Sequence, residues 1–161
     1  MSQNNLVDTA EIKVKAGNGG DGKVSFRRGK FMPKGGPDGG DGGDGGNVIF
    51  KTDPNMATLR DFRAKPSYKA QNGEPGGSNN MHGADGEDLV IKVPKGTLIF
   101  QQSSDREDIL VGDMVEDGQE LIIASGGIGG KGNDRFKSST NRTPRQFTRG
   151  TEGEEKNLRL E

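Results

Sequence analysis

The sequence predicts a mainly β domain in which short conventional strands hold a set of glycine-rich segments, with almost no α-helix. Three observations carry that reading. Glycine returns at every third position through Lys34–Gly46 (KGGPDGGDGGDGG), at Gly36, Gly39, Gly42 and Gly45, with a second row at Gly40, Gly43 and Gly46. Short alternating or apolar runs recur between the glycine-rich stretches. No segment sustains the i, i+3, i+4, i+7 apolar pattern of an amphipathic helix.

Polyproline II has three residues per turn and rises about 3.1 Å per residue, so a triplet repeat places each of its three positions along one edge. Two edges are then bare glycine and the third carries Asp38, Asp41 and Asp44, roughly 9 Å apart. A glycine-rich run standing alone reads as a flexible linker. Here similar stretches recur at Ala16–Gly22, Asn72–Gly86 and Ser125–Asn133, between strand-like segments that need each other. Several polyproline-type strands packed side by side on glycine are therefore expected.

The elements follow in order. Thr9–Lys15 alternates, with Ile12 and Val14 on one face, and reads as a strand. Lys23–Arg28 reads as another, with Val24 and Phe26 inward. Asn47–Lys51 is a short apolar run, and Thr58–Phe62 and Pro66–Ala70 are polar strand candidates. Asp88–Val93, Thr97–Phe100, Ile109–Val111 and Glu120–Ala124 are the clearest strands, with turn signals at Pro94-Lys95-Gly96 and Glu116–Gly118. Their close spacing argues for a small antiparallel barrel or sandwich. Asn157–Glu161 reads as a final strand that runs on, and Lys131–Arg149 as a basic tail too poor in apolar residues for a core of its own.

At 161 residues the chain is most simply one domain. Leu, Ile, Val and Phe number 31, few but clustered, which allows one modest core. No apolar run is long enough to span a membrane, and MSQNNLVD has no apolar signal region. The absence of cysteine excludes disulfides and thiolate metal sites and fits a cytoplasmic protein. Trp is absent and Tyr68 stands alone, so base stacking on aromatics has little to work with.

A formal net charge of −1 hides strong segregation. Ten Lys/Arg stand against five Asp/Glu from Lys23 to Lys69, and six against one from Lys131 to Arg149. From Asp85 to Glu120 the balance reverses, three against ten. The basic stretches coincide with the glycine-rich ones, as for one end of a molecule that meets an anionic partner. Basic clusters on loops fit phosphate-backbone binding, and rigid loops with few aromatics fit recognition of folded RNA by shape.

Other motifs carry less. G-x-G-x-x-G occurs at Gly17/Gly19/Gly22, Gly40/Gly42/Gly45 and Gly127/Gly129/Gly132, but no helix is expected after any of them, so a dinucleotide site is not predicted. Ser125–Gly132 approaches the P-loop pattern but has Ser125 where glycine is needed and Gly132 where Ser or Thr is needed. His82, the single histidine, offers no metal or catalytic spacing. Three aspartates about 9 Å apart cannot share one cation, so a structural role as ion-pair partners or backbone N–H acceptors is expected.

Two long strings are specific: SFRRGKFMPKGGPDGGDGGDGGNV (Ser25–Val48) and RFKSSTNRTPRQ (Arg135–Gln146). With LVDTAEIKVKAGNGGDG and EDLVIKVPKGT, they make essentially the whole chain resemble the N-terminal domain of the Obg family of GTPases. The resemblance implies a small antiparallel β-barrel base (about 6–15, 87–124 and 150–161). From it projects a glycine-rich lobe of polyproline-II-type helices (about 16–86 and 125–149). It implies a following P-loop GTPase domain, absent from this chain, that would bring GTP and Mg²⁺; this chain needs no cofactor and is not itself an enzyme. It further implies docking on ribosomal RNA of the large ribosomal subunit during assembly, a link to the stringent response, and a monomeric state. Carried over by motif, the RNA contacts would be Arg27, Arg28, Lys30 and Lys34 in the first loop, and Lys131, Arg135, Lys137, Arg142 and Arg145 in the last. The middle loop departs from the pattern, because Ser78–Ala84 carries no Lys or Arg. The alternatives are a glycine-rich self-association module without RNA binding, and an enzyme holding a nucleotide in a glycine loop.

Overall fold

A computed structural model of the chain describes residues 9–28, 35–105 and 107–161. It is mainly β, with one single-turn α-helix among the described residues. Strands β1 (Ala10–Lys15), β3 (Ser67–Lys69), β8 (Glu155–Leu160), β5 (Thr97–Gln101) and β6 (Ile109–Met114) form one sheet in the order β3-β1-β8-β5-β6. Strands β4 (Leu89–Val93), β2 (Val48–Thr52) and β7 (Glu120–Ala124) form a second, in that order. Alternation decides which faces turn inward. In β1 Ala10, Ile12 and Val14 are buried while Glu11 and Lys13 are exposed, and in β8 Leu158 and Leu160 are buried. From the smaller sheet come Val48, Phe50, Ile91, Val93, Ile123 and Ala124, and both sheets share one apolar core.

The two sheets do not close into a barrel, and the pairing is mixed rather than wholly antiparallel. β1 pairs with β3, and β2 with β4, in parallel. A parallel neighbour needs a long crossover, and the polar and glycine-rich stretches after β1 and β2 supply one. Of the expected sandwich or barrel, the open two-sheet form is the one found.

Two strand expectations fail locally. Lys23–Arg28 makes only an isolated bridge, Phe26 to Pro37, flanked by Arg27 N–H donating to Gly36 O at 2.8 Å and Asp38 N–H to Ser25 O at 2.9 Å. Proline brings no N–H and so cannot extend a ladder. Thr58–Phe62 is not a strand: α1 (Asp61–Ala64) begins after Thr58 Oγ1 accepts the Arg60 N–H, and Phe62 is buried with its ring centroid 5.9 Å from that of Tyr68.

The glycine-rich segments contain neither strand nor α-helix, yet their backbones are joined in steps of three. Gly17, Gly20 and Lys23 donate to Gly46, Gly43 and Gly40. Gly40, Gly43 and Gly46 donate in turn to Gly77, Glu74 and Gln71, and Gly42 and Gly45 donate to Gly130 and Gly127. The segment 39–46 is thus bonded to neighbours on several sides. Such spacing leaves no room for side chains. A Cβ on Gly42 would lie 1.9 Å from Gly20 O, and one on Gly45 1.9 Å from Gly17 O. Gly39, Gly40, Gly43 and Gly46 have backbone oxygens within 1.8–2.2 Å of the same point. Gly36 differs: it is exposed, and a Cβ there would meet nothing within 4 Å.

The aspartate edge supplies acceptors. Asp41 Oδ1, Asp44 Oδ1 and Asn47 Oδ1 take the N–H of Gly132, Gly129 and Gly126 at 2.8–3.0 Å. On other segments Asn18 and Asp21 take Gly153 and Gly150, and Asp85 and Asp88 take Asp44 and Asn47. Asp38 accepts the Asn79 N–H through Oδ2.

Gly42→Ala is expected to lower stability by about 3 kcal/mol or more, since backbone rather than a movable side chain fills the space. Gly36→Ala should stay within about 0.5 kcal/mol of the wild type. Urea midpoints of the two variants check both.

Candidate nucleic-acid interface

The interface is built around Asn133, which is fully buried. It opens a single 3-10 turn, Asn133–Phe136. Its Oδ1 accepts the N–H of Gly39 at 2.9 Å and of Ser25 at 3.3 Å. Its Nδ2 donates to Ser25 O at 3.1 Å and Pro144 O at 3.0 Å. One amide thereby uses both acceptor and both donor positions to tie together three loops that are remote in sequence. The consequence is a juxtaposition of basic residues. Arg28 and Arg145, from opposite ends of the chain, line the same cleft of about 540 Å³, with Lys23 beside them. The Arg145 guanidinium stands 5.5 Å from the Phe26 ring centroid.

The nine basic residues expected from sequence fall into three groups. Lys30 and Lys34 lie outside the described residues. Arg135 and Lys137 are engaged within the fold. Arg135 holds Asp41 in a forked contact, Nε to Oδ2 at 3.1 Å and Nη2 to Oδ2 at 2.6 Å, and the guanidinium keeps the Asp41 carboxyl below its usual range. Lys137 Nζ lies 3.1 Å from Asp134 Oδ1, an ion pair by distance without hydrogen-bond alignment. Arg27, Arg28, Lys131, Arg142 and Arg145 are exposed, and no carboxylate pairs with them among the described residues. Arg149, which motif matching did not select, pairs with Asp21 at 3.8 Å.

The glycine loop at Ser125–Asn133 fits no phosphate. From Ser125 to Asn133 every backbone N–H is donated to the protein: to Glu154, Asn47, Gly17, Thr151, Asp44, Gly20, Thr148, Asp41 and Lys23 in turn. A phosphate cradle needs those groups free. Sequence reasoning found the basic loops through their charge and missed Asn133. A single asparagine within GKGNDRF has no periodic or charge signal to mark it.

Asn133→Asp keeps the two acceptor contacts but leaves Ser25 O and Pro144 O without their donor, and should cost about 1–3 kcal/mol in chemical denaturation. Asp41 has a folded pKa below its ordinary value of 3.8, so its contribution is full above that pH and disappears as pH falls through the lower value. The stability gap between wild type and Asp41→Asn, measured by thermal unfolding, is therefore expected to be widest above about pH 4 and to shrink below it.

Comparison with known proteins agrees with the sequence resemblance. The GTP1/OBG family profile matches residues 7–161. The GTPase Obg of Lawsonia intracellularis is 59% identical over 156 residues, and that of Oleidesulfovibrio alaskensis 55% over the same length. Each alignment covers 97% of this chain but 43% of the relative, so the chain spans less than half of the proteins it matches. With the same match extending to the GTPase Obg of Synechococcus sp. strain JA-3-3Ab at 52% identity, the chain belongs to the GTP1/OBG family and corresponds to the Obg-type domain of its relatives.

Proposed function

We propose that this domain docks on ribosomal RNA of the large ribosomal subunit, as the non-catalytic part of a GTPase acting in subunit assembly. One observation carries the reading most: Asn133 holds two chain-remote basic loops together, so that Arg28 and Arg145 line one cleft. Unpaired cations on a pre-formed surface lose little freedom on binding and release counterions from each phosphate they meet. Of the basic residues, Arg27, Arg28, Lys131, Arg142 and Arg145 are the proposed contacts. Lys30 and Lys34 join them on the strength of the motif. Arg135 holds the loop to Asp41 instead, and Lys137 is engaged locally with Asp134.

The same proposal extends to the architecture. The glycine-rich segments are taken as polyproline-II-type helices, because their hydrogen-bond partners change in steps of three, the residue count of one such turn. They form a lobe and the two sheets its base. In the longer parent a GTPase domain acts on GTP, as the names of the relatives imply, with Mg²⁺ as the family resemblance implies. The parent works in the cytoplasm with a link to the stringent response, as the family resemblance implies. No helix of the described residues is long and apolar enough to cross a membrane.

Co-sedimentation with purified large ribosomal subunits across a salt series tests the docking. Wild type is expected to pellet at low salt and to be released steeply as salt rises. Arg28→Ala/Arg142→Ala/Arg145→Ala should pellet less at every salt concentration and flatten the slope by about 0.9 log units per log unit of salt for each phosphate no longer neutralised, in the duplex-DNA calibration. Lys137→Ala should pellet as wild type does. Equal pelleting of wild type and the triple variant overturns the site, and no pelleting of wild type overturns docking by this domain alone.

A further inference from the structure

We propose that the cleft between the Lys23–Arg28 loop and the Ser78–Asn80 turn binds one guanosine nucleotide. Its volume of about 540 Å³ lies in the range of small-ligand pockets. Its walls combine three chemistries. Lys23, Arg28 and Arg145 make it cationic, which selects an anion and disfavours a metal ion or an amine. Phe26 supplies a flat apolar ring already paired with a guanidinium, the combination on which unstacked bases lie.

The third feature is a buried carboxylate. Asp38 lines the cleft, is 2% exposed, and its Oδ1 has no hydrogen-bond partner among the described residues. Oδ2 accepts the Asn79 N–H at 3.1 Å and keeps a second lone pair. Buried polar atoms are nearly always satisfied, and an unpaired carboxylate oxygen in a ligand-sized cleft calls for a donor from outside. Guanine carries two adjacent donors, N1–H and the N2 amine, which match the two oxygens of one carboxylate. Adenine and cytosine present one donor on that edge. A guanosine nucleotide, free or as a residue within an RNA strand, is an anion that is flat and carries such paired N–H donors.

This cleft is the one that carries the RNA-docking reading, but the preference for guanine rests on Asp38 and Phe26, which that reading does not use. Calorimetric titration of the chain with GMP, IMP and AMP tests it, alongside two RNA pentamers, adenosine throughout or with one central guanosine. GMP, or the guanosine pentamer, should fill one site at least ten-fold more tightly than its partner ligands. IMP, which lacks the N2 amine, should fall between GMP and AMP. Asp38→Asn can still accept the Asn79 N–H but turns an amine toward the vacant position, and should erase the preference. Phe26→Ala should weaken GMP and AMP alike by ten-fold or more. Binding of free GMP assigns the site to a nucleotide; binding of the guanosine pentamer alone assigns it to an RNA residue. Equal affinity for GMP, IMP and AMP with no gain from the central guanosine overturns the inference. So does a complete lack of binding, and intact pelleting with ribosomal subunits would then leave RNA docking standing.

Discussion

The structure depends on one constraint: in the glycine-rich segments a neighbour's carbonyl oxygen occupies the place where a Cβ would be. At Gly42 and Gly45 that oxygen is 1.9 Å from the Cβ position, and the same holds within a few tenths of an ångström at Gly39, Gly40, Gly43 and Gly46. Close approach lets backbone donors and acceptors of adjacent segments pair directly, without a sheet ladder and without an apolar core. Ordering so many glycines is costly in conformational entropy. The offset comes from the number of hydrogen bonds, each worth about 1 kcal/mol net. Asp41, Asp44 and Asn47 add a second set through their side chains, which gives the carboxylates of the repeat a structural use.

Most of the two sheets was legible because their residues alternate. Ile12 and Val14, or Leu158 and Leu160, announce a buried face through their spacing alone. What the alternation could not give was the partner of each strand. β2 pairs in parallel with β4 because the chain leaves the sheet and returns, a matter of long-range path that no local pattern encodes. The triplet repeat was legible for a different reason: its period of three matches the steps in which its backbone hydrogen bonds recur. Lys23–Arg28 shows the limit. It alternates like a strand, but its partner segment contains Pro37 and glycine, and pairing stops at one bridge.

The charged site was legible only as an inventory. Sequence marks basic loops equally, whereas the fold sorts them. Arg135 is drawn to Asp41 because the 3-10 turn after Gly132 sets it against the acidic edge. Arg28 and Arg145 have no carboxylate partner among the described residues and are brought together by Asn133, three of whose four hydrogen bonds go to Ser25 and Gly39, distant in sequence. Charge composition therefore identifies which loops are basic, while side-chain amide geometry decides which of their cations stand together.

The bonds between segment 39–46 and the residues after Ser125 also set a timetable for the chain. Asp41 and Gly132 are separated by 91 residues, and Ser25 and Asn133 by 108. Closing loops of that length is slow, and folds dominated by distant pairings form over milliseconds to seconds. During synthesis, at roughly 5–20 residues per second, the first glycine segments leave the ribosome several seconds before their partners exist. They wait in water as a soluble, side-chain-poor coil with little apolar surface to misassemble. A repeat of glycine and aspartate is thus suited to late assembly as well as to dense packing.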